Sequence, residues 1–189
     1  MSRSYRDLLR RDLLRLLAGA SVLGAVAPSL AAGAEAAPVR LDAEGRAALA
    51  ALPLLRGQGE VARQLQDRVV VLTFFASWCP PCHVEFDALN RLRAARSRDE
   101  VEIVAVNIFE DYLTVAGGLE AFLERKGPSF TVLGGGEAVA GRFGGVDRIP
   151  TLFVFGPGGE ARLHFVHAKG ASKTHAPLAE IEAAIDAAS

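Results

Sequence analysis

An uninterrupted apolar run, Val69–Ala76, constrains the fold of this chain more than any other feature. Its residues are mostly β-branched or aromatic, which indicates a strand buried on both faces of a sheet. The run is followed closely by Cys79-Pro80-Pro81-Cys82, and from Val84 to Leu92 apolar residues recur at nearly helical spacing. The pattern therefore predicts a helix that ends near Arg98, and it places both cysteines where a buried strand gives way to that helix.

The rest of the sequence alternates strands with helices, which predicts the α/β class with a mixed central sheet covered on both faces. A tight turn at Gly156-Pro157-Gly158-Gly159 joins two of the strands as a hairpin, so part of the sheet is antiparallel. The elements predicted after the first helix are a strand Val101–Ile108, a helix Leu113–Lys126, a short strand Phe130–Leu133, a short helix Glu137–Phe143, a strand Thr151–Phe155, its hairpin partner Glu160–Val166 and a terminal amphipathic helix Ala176–Ala188.

Length and charge fit one globular domain without a nucleic-acid partner. The chain has 189 residues and a net charge of −1, divided into +3 for residues 1–34 and −4 for the remainder. A mildly acidic domain lacks the basic surface that nucleic acid requires. Cys79 and Cys82 are the only cysteines. A disulfide-stapled scaffold and a four-cysteine zinc site are therefore both excluded.

The first 34 residues have the order of a secretory signal peptide. Residues 1–15 are rich in arginine, residues 16–27 are apolar, and Ala32-Gly33-Ala34 follows as a small-residue cleavage site. Arg10-Arg11 resembles a twin-arginine export motif, although Leu9 stands where a Ser or Thr is usual. We expect a twin-arginine signal peptide at residues 1–34, with ordinary secretion and an uncleaved membrane anchor as alternatives. All three predict a periplasmic protein.

Residues 35–59 are rich in Ala and Gly and precede the domain, which we expect to span residues 60–189. Asp42 is a typical N-cap residue, so a short helix is predicted from Asp42 to about Leu52, before Pro53. The segment is interpreted either as a lead-in or as an edge element of the fold.

The position of the two cysteines gives them different chemistry. A helix N-terminus presents unpaired N–H groups and about half a positive charge to Cys79. Both favour the thiolate, which lowers the pKa of Cys79 below its free value of ~8.5. We expect Cys79, at the helix tip, to be exposed and nucleophilic, and Cys82 to be the shielded resolving thiol. The alternatives are an inert disulfide, which would stabilise little because its loop is short, and part of a metal site with His83.

Three segments carry a resemblance to a known family. The segment Phe74–Cys82 resembles the active-site segment of the TlpA-like thiol:disulfide oxidoreductases of the thioredoxin superfamily. Ile149-Pro150-Thr151 resembles the cis-proline segment of that family, and Gly156–Glu160 resembles its hairpin turn. The resemblance covers about residues 60–188. It implies a thioredoxin-like fold with a TlpA-type βα insertion within residues 108–135.

The resemblance also implies a substrate-binding surface. Pro150 would be cis and would lie against the cysteine pair. With Ile149 before it, this geometry leaves backbone groups free to pair with an extended substrate segment. Trp78 would be a partly exposed aromatic residue that shapes the docking surface beside Cys79.

Glu85 matches a glutamate that tunes the protonation of the resolving cysteine in this family. On a helix, its offset of three residues places it on the face of Cys82, where it could take the proton that Cys82 must lose. The chain departs from the family at Thr73, where thioredoxins proper have a buried Asp and many TlpA-like proteins have Asn. Because threonine cannot relay a proton as a carboxylate does, Glu85 or water must serve.

These observations predict an exported thiol:disulfide oxidoreductase that reduces partner-protein disulfides through Cys79 and Cys82. The resemblance implies disulfide-bearing clients, such as apocytochrome c or copper-delivery proteins, and a membrane thiol-electron donor. No cofactor and no resident metal are expected. The alternatives are a net thiol oxidase, and a copper metallochaperone that uses the same cysteines with a histidine, of which His83 is nearest in sequence.

Overall fold

The computed structural model describes residues 39–57, 60–113 and 117–189, so the expected signal peptide lies outside the described residues. Within those three ranges, no helix has the length and apolar character that a membrane span requires. The elements are α1 Ala43–Ala50, β1 Leu54–Arg56, α2 Val61–Gln64, β2 Val69–Phe75, α3 Pro80–Ala95, β3 Val101–Asn107, a 3₁₀ turn Glu110–Tyr112, α4 Gly118–Lys126, β4 Thr131–Gly134, α5 Glu137–Arg142, β5 Thr151–Phe155, β6 Ala161–Val166 and α6 Leu178–Asp186.

β2 lies inside a six-stranded sheet, as its apolar sequence predicts. The strand order is β1-β4-β3-β2-β5-β6. β2, β3 and β4 run parallel, whereas β1, β5 and β6 pair antiparallel with their neighbours. Every residue of β2 and β3 is buried. The predicted α/β class, with a mixed sheet flanked by helices, is confirmed.

Aromatic side chains fill the core on both faces of β2. Phe74 and Phe75 point to opposite faces because successive strand residues alternate. The Phe75 ring packs against Phe86 of α3 with centroids 4.6 Å apart, and against Phe122 of α4 at 5.5 Å. On the other face, Phe74 packs against Phe143, just after α5, at 5.6 Å. These contacts fix α3, which carries the cysteines, to the strand that precedes it.

An additional helix and strand, α4 and β4, lie between β3 and α5. They occupy residues 118–134, within the range in which the insertion was expected. The helix predicted from Leu113 starts too early, because residues 110–112 form a 3₁₀ turn and Gly117 has a φ of 74°. Gly118, the first residue of α4, also has a positive φ, of 52°, so regular right-handed helix backbone begins only after these two glycines.

The segment before α2 packs into the same compact unit as the rest of the described chain. Asp42 caps α1, as predicted, by accepting the Gly45 N–H at 2.8 Å. This hydrogen bond and a second from Arg142 lower the pKa of Asp42. β1, which the sequence did not reveal as a strand, is an edge strand paired with β4.

A prediction arises where this segment meets the β5–β6 hairpin. The Leu41 N–H donates to the Gly159 carbonyl at 2.8 Å. Gly159 has a φ of +82°, and a Cβ there would lie 2.3 Å from the Leu41 oxygen, whereas Gly170, with a φ of +79°, has nothing within 4 Å. We expect Gly170→Ala to lower the free energy of unfolding by about 1 kcal/mol through its left-handed backbone. Gly159→Ala should lower the free energy of unfolding by roughly 1 kcal/mol more than Gly170→Ala, because its Cβ would also clash with Leu41. Equal losses of stability in the two variants, measured by urea unfolding, would contradict this prediction.

Candidate active site

The two cysteines form a disulfide at the N-terminus of α3. Cys79 is the N-cap, and prolines occupy the first two helical positions before Cys82. The Cys82 N–H lies 3.3 Å from the Cys79 sulfur and 3.0 Å from the Cys79 carbonyl oxygen. Because this donor and the helix dipole both face Cys79, negative charge on its sulfur is favoured once the disulfide opens. The predicted strand-to-helix placement of the pair is confirmed.

Cys79 is far less exposed than the sequence predicted. It retains 3% of its accessible surface, and Cys82 retains none. The expected order of exposure holds, but the expectation of an openly exposed outer cysteine is wrong for this disulfide-bonded state. The reason is that the Cys79 sulfur is bonded to the sulfur of a buried residue and faces a helix N–H, which turns it towards the helix.

Glu85 is fully buried on α3, three residues after Cys82. Its Oε1 accepts a hydrogen bond from the Thr73 hydroxyl, and its Oε2 has no partner of hydrogen-bonding geometry within the described chain. Burial raises the pKa of Glu85 from 4.5 to about 7, while the Thr73 hydroxyl and the nearby Ala176 N–H act in the opposite direction. A carboxyl group with a pKa near neutrality can both accept and return a proton. Thr73 stands where thioredoxins have a buried Asp, and its hydroxyl donates a hydrogen bond to Glu85, the carboxyl group expected to take over the role of that Asp.

Trp78 is half-buried and is held by the turn that follows β3. Its indole Nε1 donates to the Phe109 carbonyl at 2.7 Å. Its ring packs on Tyr112 with centroids 5.3 Å apart, and Tyr112 is 76% exposed. The two rings form one aromatic surface, and Trp78 directly precedes Cys79 in the chain. This placement agrees with the expected partial exposure of Trp78.

Ile149 and Pro150 lie at the same edge of the sheet as the cysteines. The Ile149–Pro150 peptide bond is cis, as the resemblance implies. Thr151, at the start of β5, pairs with Phe74 near the end of β2, which brings Pro150 towards the segment that carries the cysteines. The Pro150 carbonyl accepts the His167 N–H at 3.0 Å.

A cleft of about 680 Å³ connects Trp78 with Ile149. Aromatic, aliphatic and charged side chains all contribute to its wall. Its other lining residues include Phe109, Tyr112, Asp147, Arg148, His167 and Lys169. Trp78 and Ile149, two of the three predicted substrate-binding residues, therefore share one concave surface, whereas Pro150 follows Ile149 in the chain and is not among the lining residues.

A polar cluster that the sequence did not reveal lies beside the cysteine-bearing segment. The Glu110 carboxylate accepts the Ser77 N–H at 3.0 Å, the Ser77 hydroxyl and the Asn107 amide at 2.8 Å. One signal could have revealed it. Asn107 lies at the carboxyl end of β3 and Glu110 just beyond it, and Ser77 lies just beyond the carboxyl end of β2. Because these two strands are parallel neighbours, their carboxyl ends meet at the same edge of the sheet.

His83 lies beside the pair but does not point at an open site. Its Nε2 is 2.8 Å from the Ser77 carbonyl oxygen, and its ring meets the edge of Phe122 at 4.8 Å. In the part of the chain that the structure describes, no three His, Cys, Asp or Glu side chains are grouped so as to hold a metal ion.

Known proteins share both the sequence pattern and the fold. The sequence profile of the Redoxin family matches residues 46–180. The thiol-disulfide oxidoreductase ResA of Halalkalibacterium halodurans is 35% identical over 79 residues, which are 42% of this chain and 43% of ResA. The thiol:disulfide interchange protein HelX of Rhodobacter capsulatus is 33% identical over 129 residues, which are 67% of this chain and 63% of HelX. The chain therefore spans about two-fifths of the length of this ResA and three-fifths of that of HelX.

Solved structures agree with the fold. A crystal structure from Chlorobium tepidum, assigned as a thiol:disulfide interchange protein DsbE, has a TM-score of 0.55 at 29% identity. That match covers 71% of this chain and 91% of the other. A secreted disulfide oxidoreductase of Mycobacterium tuberculosis, at 21% identity, has a TM-score of 0.52 over 67% of this chain and 86% of its own, and it supports the fold. Since the profile covers most of the described residues, the chain belongs to the Redoxin family, and it is a TlpA-like protein of the thioredoxin superfamily.

Proposed function

We propose that this protein is an exported thiol:disulfide oxidoreductase that reduces disulfides in partner proteins. One observation carries the proposal: a disulfide between Cys79 and Cys82 lies at a helix N-terminus, and the residue directly before Cys79 in the chain is Trp78, which lines the cleft. The ResA and HelX relatives are named for thiol–disulfide chemistry. Signal-like residues 1–34 support export to the periplasm.

The reaction starts from the reduced pair. The Cys79 thiolate attacks one sulfur of the client disulfide, the client S–S bond breaks, and its other sulfur leaves as a thiolate. The Cys82 thiolate then attacks the Cys79 sulfur and displaces the client's remaining sulfur. The client gains two electrons and becomes a dithiol, and the Cys79–Cys82 disulfide forms. A membrane thiol-electron donor would return the pair to its reduced state.

Glu85 would assist the second step. Cys82 is fully buried, so its thiol cannot release its proton directly to water. A neutral-range carboxyl group one helical turn away is suited to accept that proton. The Thr73 hydroxyl, which donates a hydrogen bond to Glu85, stabilises the ionised form of Glu85 that accepts the proton.

The client would bind across the cleft as an extended segment. Trp78 and Tyr112 present an aromatic face to the cleft, and Ile149, which precedes cis-Pro150, also lines it. Backbone groups at Ile149 would pair with the client backbone, as in strand addition. By family resemblance, the clients would be apocytochrome c or copper-delivery proteins.

The direction of the reaction is tested by the reduction potential. We expect a value closer to the roughly −270 mV of a reductase than to the roughly −120 mV of a strong oxidase. The potential is measured by equilibration in dithiothreitol buffers, with the single tryptophan, Trp78, as the fluorescent probe. A value near the oxidase limit would support the net-oxidase alternative instead.

The client class is tested with two probes. An oxidised peptide carrying a Cys-x-x-Cys-His segment, the haem attachment sequence of c-type cytochromes, is mixed with the reduced protein, and insulin is used in parallel. Reduction of the peptide alone would favour apocytochrome c, and reduction of both would indicate a general reductase. Failure with both probes would contradict the proposed function.

A further inference from the structure

The turn that follows β3 is hydrogen-bonded to the residues that precede the outer cysteine. Glu110 Oε2 accepts two hydrogen bonds, from the Ser77 N–H at 3.0 Å and from the Asn107 side-chain amide at 2.8 Å. Oε1 accepts the Ser77 hydroxyl. Ser77 and Asn107 are buried, at 2% and 7% exposure. Hydrogen bonds to a carboxylate are stronger than those between neutral groups, so this cluster holds Ser77 firmly.

Ser77 is fixed at all of its polar groups. Its N–H and hydroxyl bind Glu110, and its carbonyl oxygen lies 2.8 Å from His83 Nε2 on α3. The next residue, Trp78, is bound to the same turn, because its indole donates to the Phe109 carbonyl. Phe109 has a φ of 57°, a left-handed conformation that a bulky residue adopts only where its surroundings enforce it. The turn and the Ser77-Trp78 segment therefore hold each other in place.

We propose that Glu110 is a positioning residue that sets the orientation of Trp78 beside Cys79 and thereby the rate at which protein disulfides react. It acts through Ser77 and does not touch the sulfur atoms in any contact found in the structure. The proposal rests on the proposed function for its kinetic part alone. The placement of Trp78 is a structural claim that can be measured without any client.

Three substitutions separate the position of the carboxylate from its charge. In Glu110→Gln the side-chain oxygen can replace Oε2, and the amide nitrogen can donate to the Ser77 oxygen, so all three hydrogen bonds survive without the charge. In Glu110→Asp the charge stays, but the side chain is one methylene too short to reach both Ser77 groups. Glu110→Ala removes both the charge and the hydrogen bonds.

The expected results follow from these geometries. For the Cys-x-x-Cys-His peptide, the second-order rate constant of reduction by the reduced protein should fall roughly tenfold in Glu110→Ala and Glu110→Asp, because small displacements of docking groups slow reactions strongly. Glu110→Gln should stay within about twofold of the parent protein. Hydroxyethyl disulfide, which has no chain to dock, should react at nearly the same rate with all four proteins. The fluorescence maximum of Trp78, the single tryptophan, should shift to the red in the Ala and Asp variants only.

Two outcomes would overturn the proposal. Unchanged Trp78 emission and peptide kinetics in both Glu110→Ala and Glu110→Asp would show that the carboxylate does not position the segment. A Gln variant as impaired as the Ala variant, with a normal Asp variant, would show that charge is the relevant property. If the parent protein reduces neither substrate, the proposed function fails, and the fluorescence of the folded Asp and Gln variants still decides whether Glu110 positions Trp78.

Discussion

Cys79→Ser is expected to abolish reduction of the Cys-x-x-Cys-His peptide, with a loss of at least about a thousandfold in rate. The reason is steric as well as chemical. Cys82 is fully buried in the first turn of α3, so it cannot replace Cys79 as the attacking group. A serine hydroxyl is not ionised at neutral pH and does not exchange with disulfides. Stopped-flow mixing of reduced protein with the oxidised peptide measures the effect.

Cys82→Ser is the matched variant because it should fail at a different step. It retains the nucleophile, so it should accumulate a mixed disulfide between Cys79 and the peptide, detectable as an added mass that dithiothreitol removes. The opposite result, in which Cys79→Ser traps the peptide and Cys82→Ser does not, would reverse the assignment of attacking and resolving thiols.

Glu85→Gln is expected to stabilise the oxidised protein at alkaline pH. Burial raises the folded-state pKa of Glu85 to about 7, from 4.5 in an exposed carboxyl. The folded state therefore binds this proton more tightly than the unfolded state, and stability is lost as the pH rises from about 4.5 through 7. The full shift corresponds to a destabilisation of about 3 kcal/mol, which is present above pH 7 and absent below pH 4. Urea unfolding of both proteins across this range checks the difference.

Thr73→Val provides the control for the Glu85 prediction. The Thr73 hydroxyl donates to Glu85 and lowers its pKa, so its removal should raise that pKa further and deepen the alkaline loss of stability. In the Glu85→Gln background the same substitution should have no pH-dependent effect. A difference between parent and Glu85→Gln that is the same at pH 4 and pH 8 would show that the carboxyl group does not titrate in this range.

Strong periodic patterns predicted most of the fold. The apolar runs that form β2, β3 and β5 are too short for buried helices, so they predict strands. The predicted bounds of these strands nearly match those in the structure. β1 and α2 were missed because three- and four-residue elements carry no period to detect. α3 ends at Ala95, not near Arg98, because Arg96 adopts an extended backbone that no residue-level signal announced.

The site was predictable where its members share one element. Cys79, Cys82 and Glu85 lie on one helix, so their spacing gives their arrangement. Glu110 could not be paired with Ser77 in the same way, since 33 residues separate them and only the sheet brings them together. The low exposure of Cys79 was also beyond reach, because it depends on the disulfide state and on packing that spacing alone does not describe.

Trp78 is held by the turn at Phe109–Tyr112, whereas the cysteines lie on α3, so the aromatic surface and the disulfide belong to two different segments of the chain. In the proposed reaction, electron transfer would depend on the cysteine-bearing helix, whereas the surface proposed to bind a partner would depend on the connection after β3. If the proposed function holds, substitutions in that connection would alter which partner is bound while the cysteine chemistry stays the same.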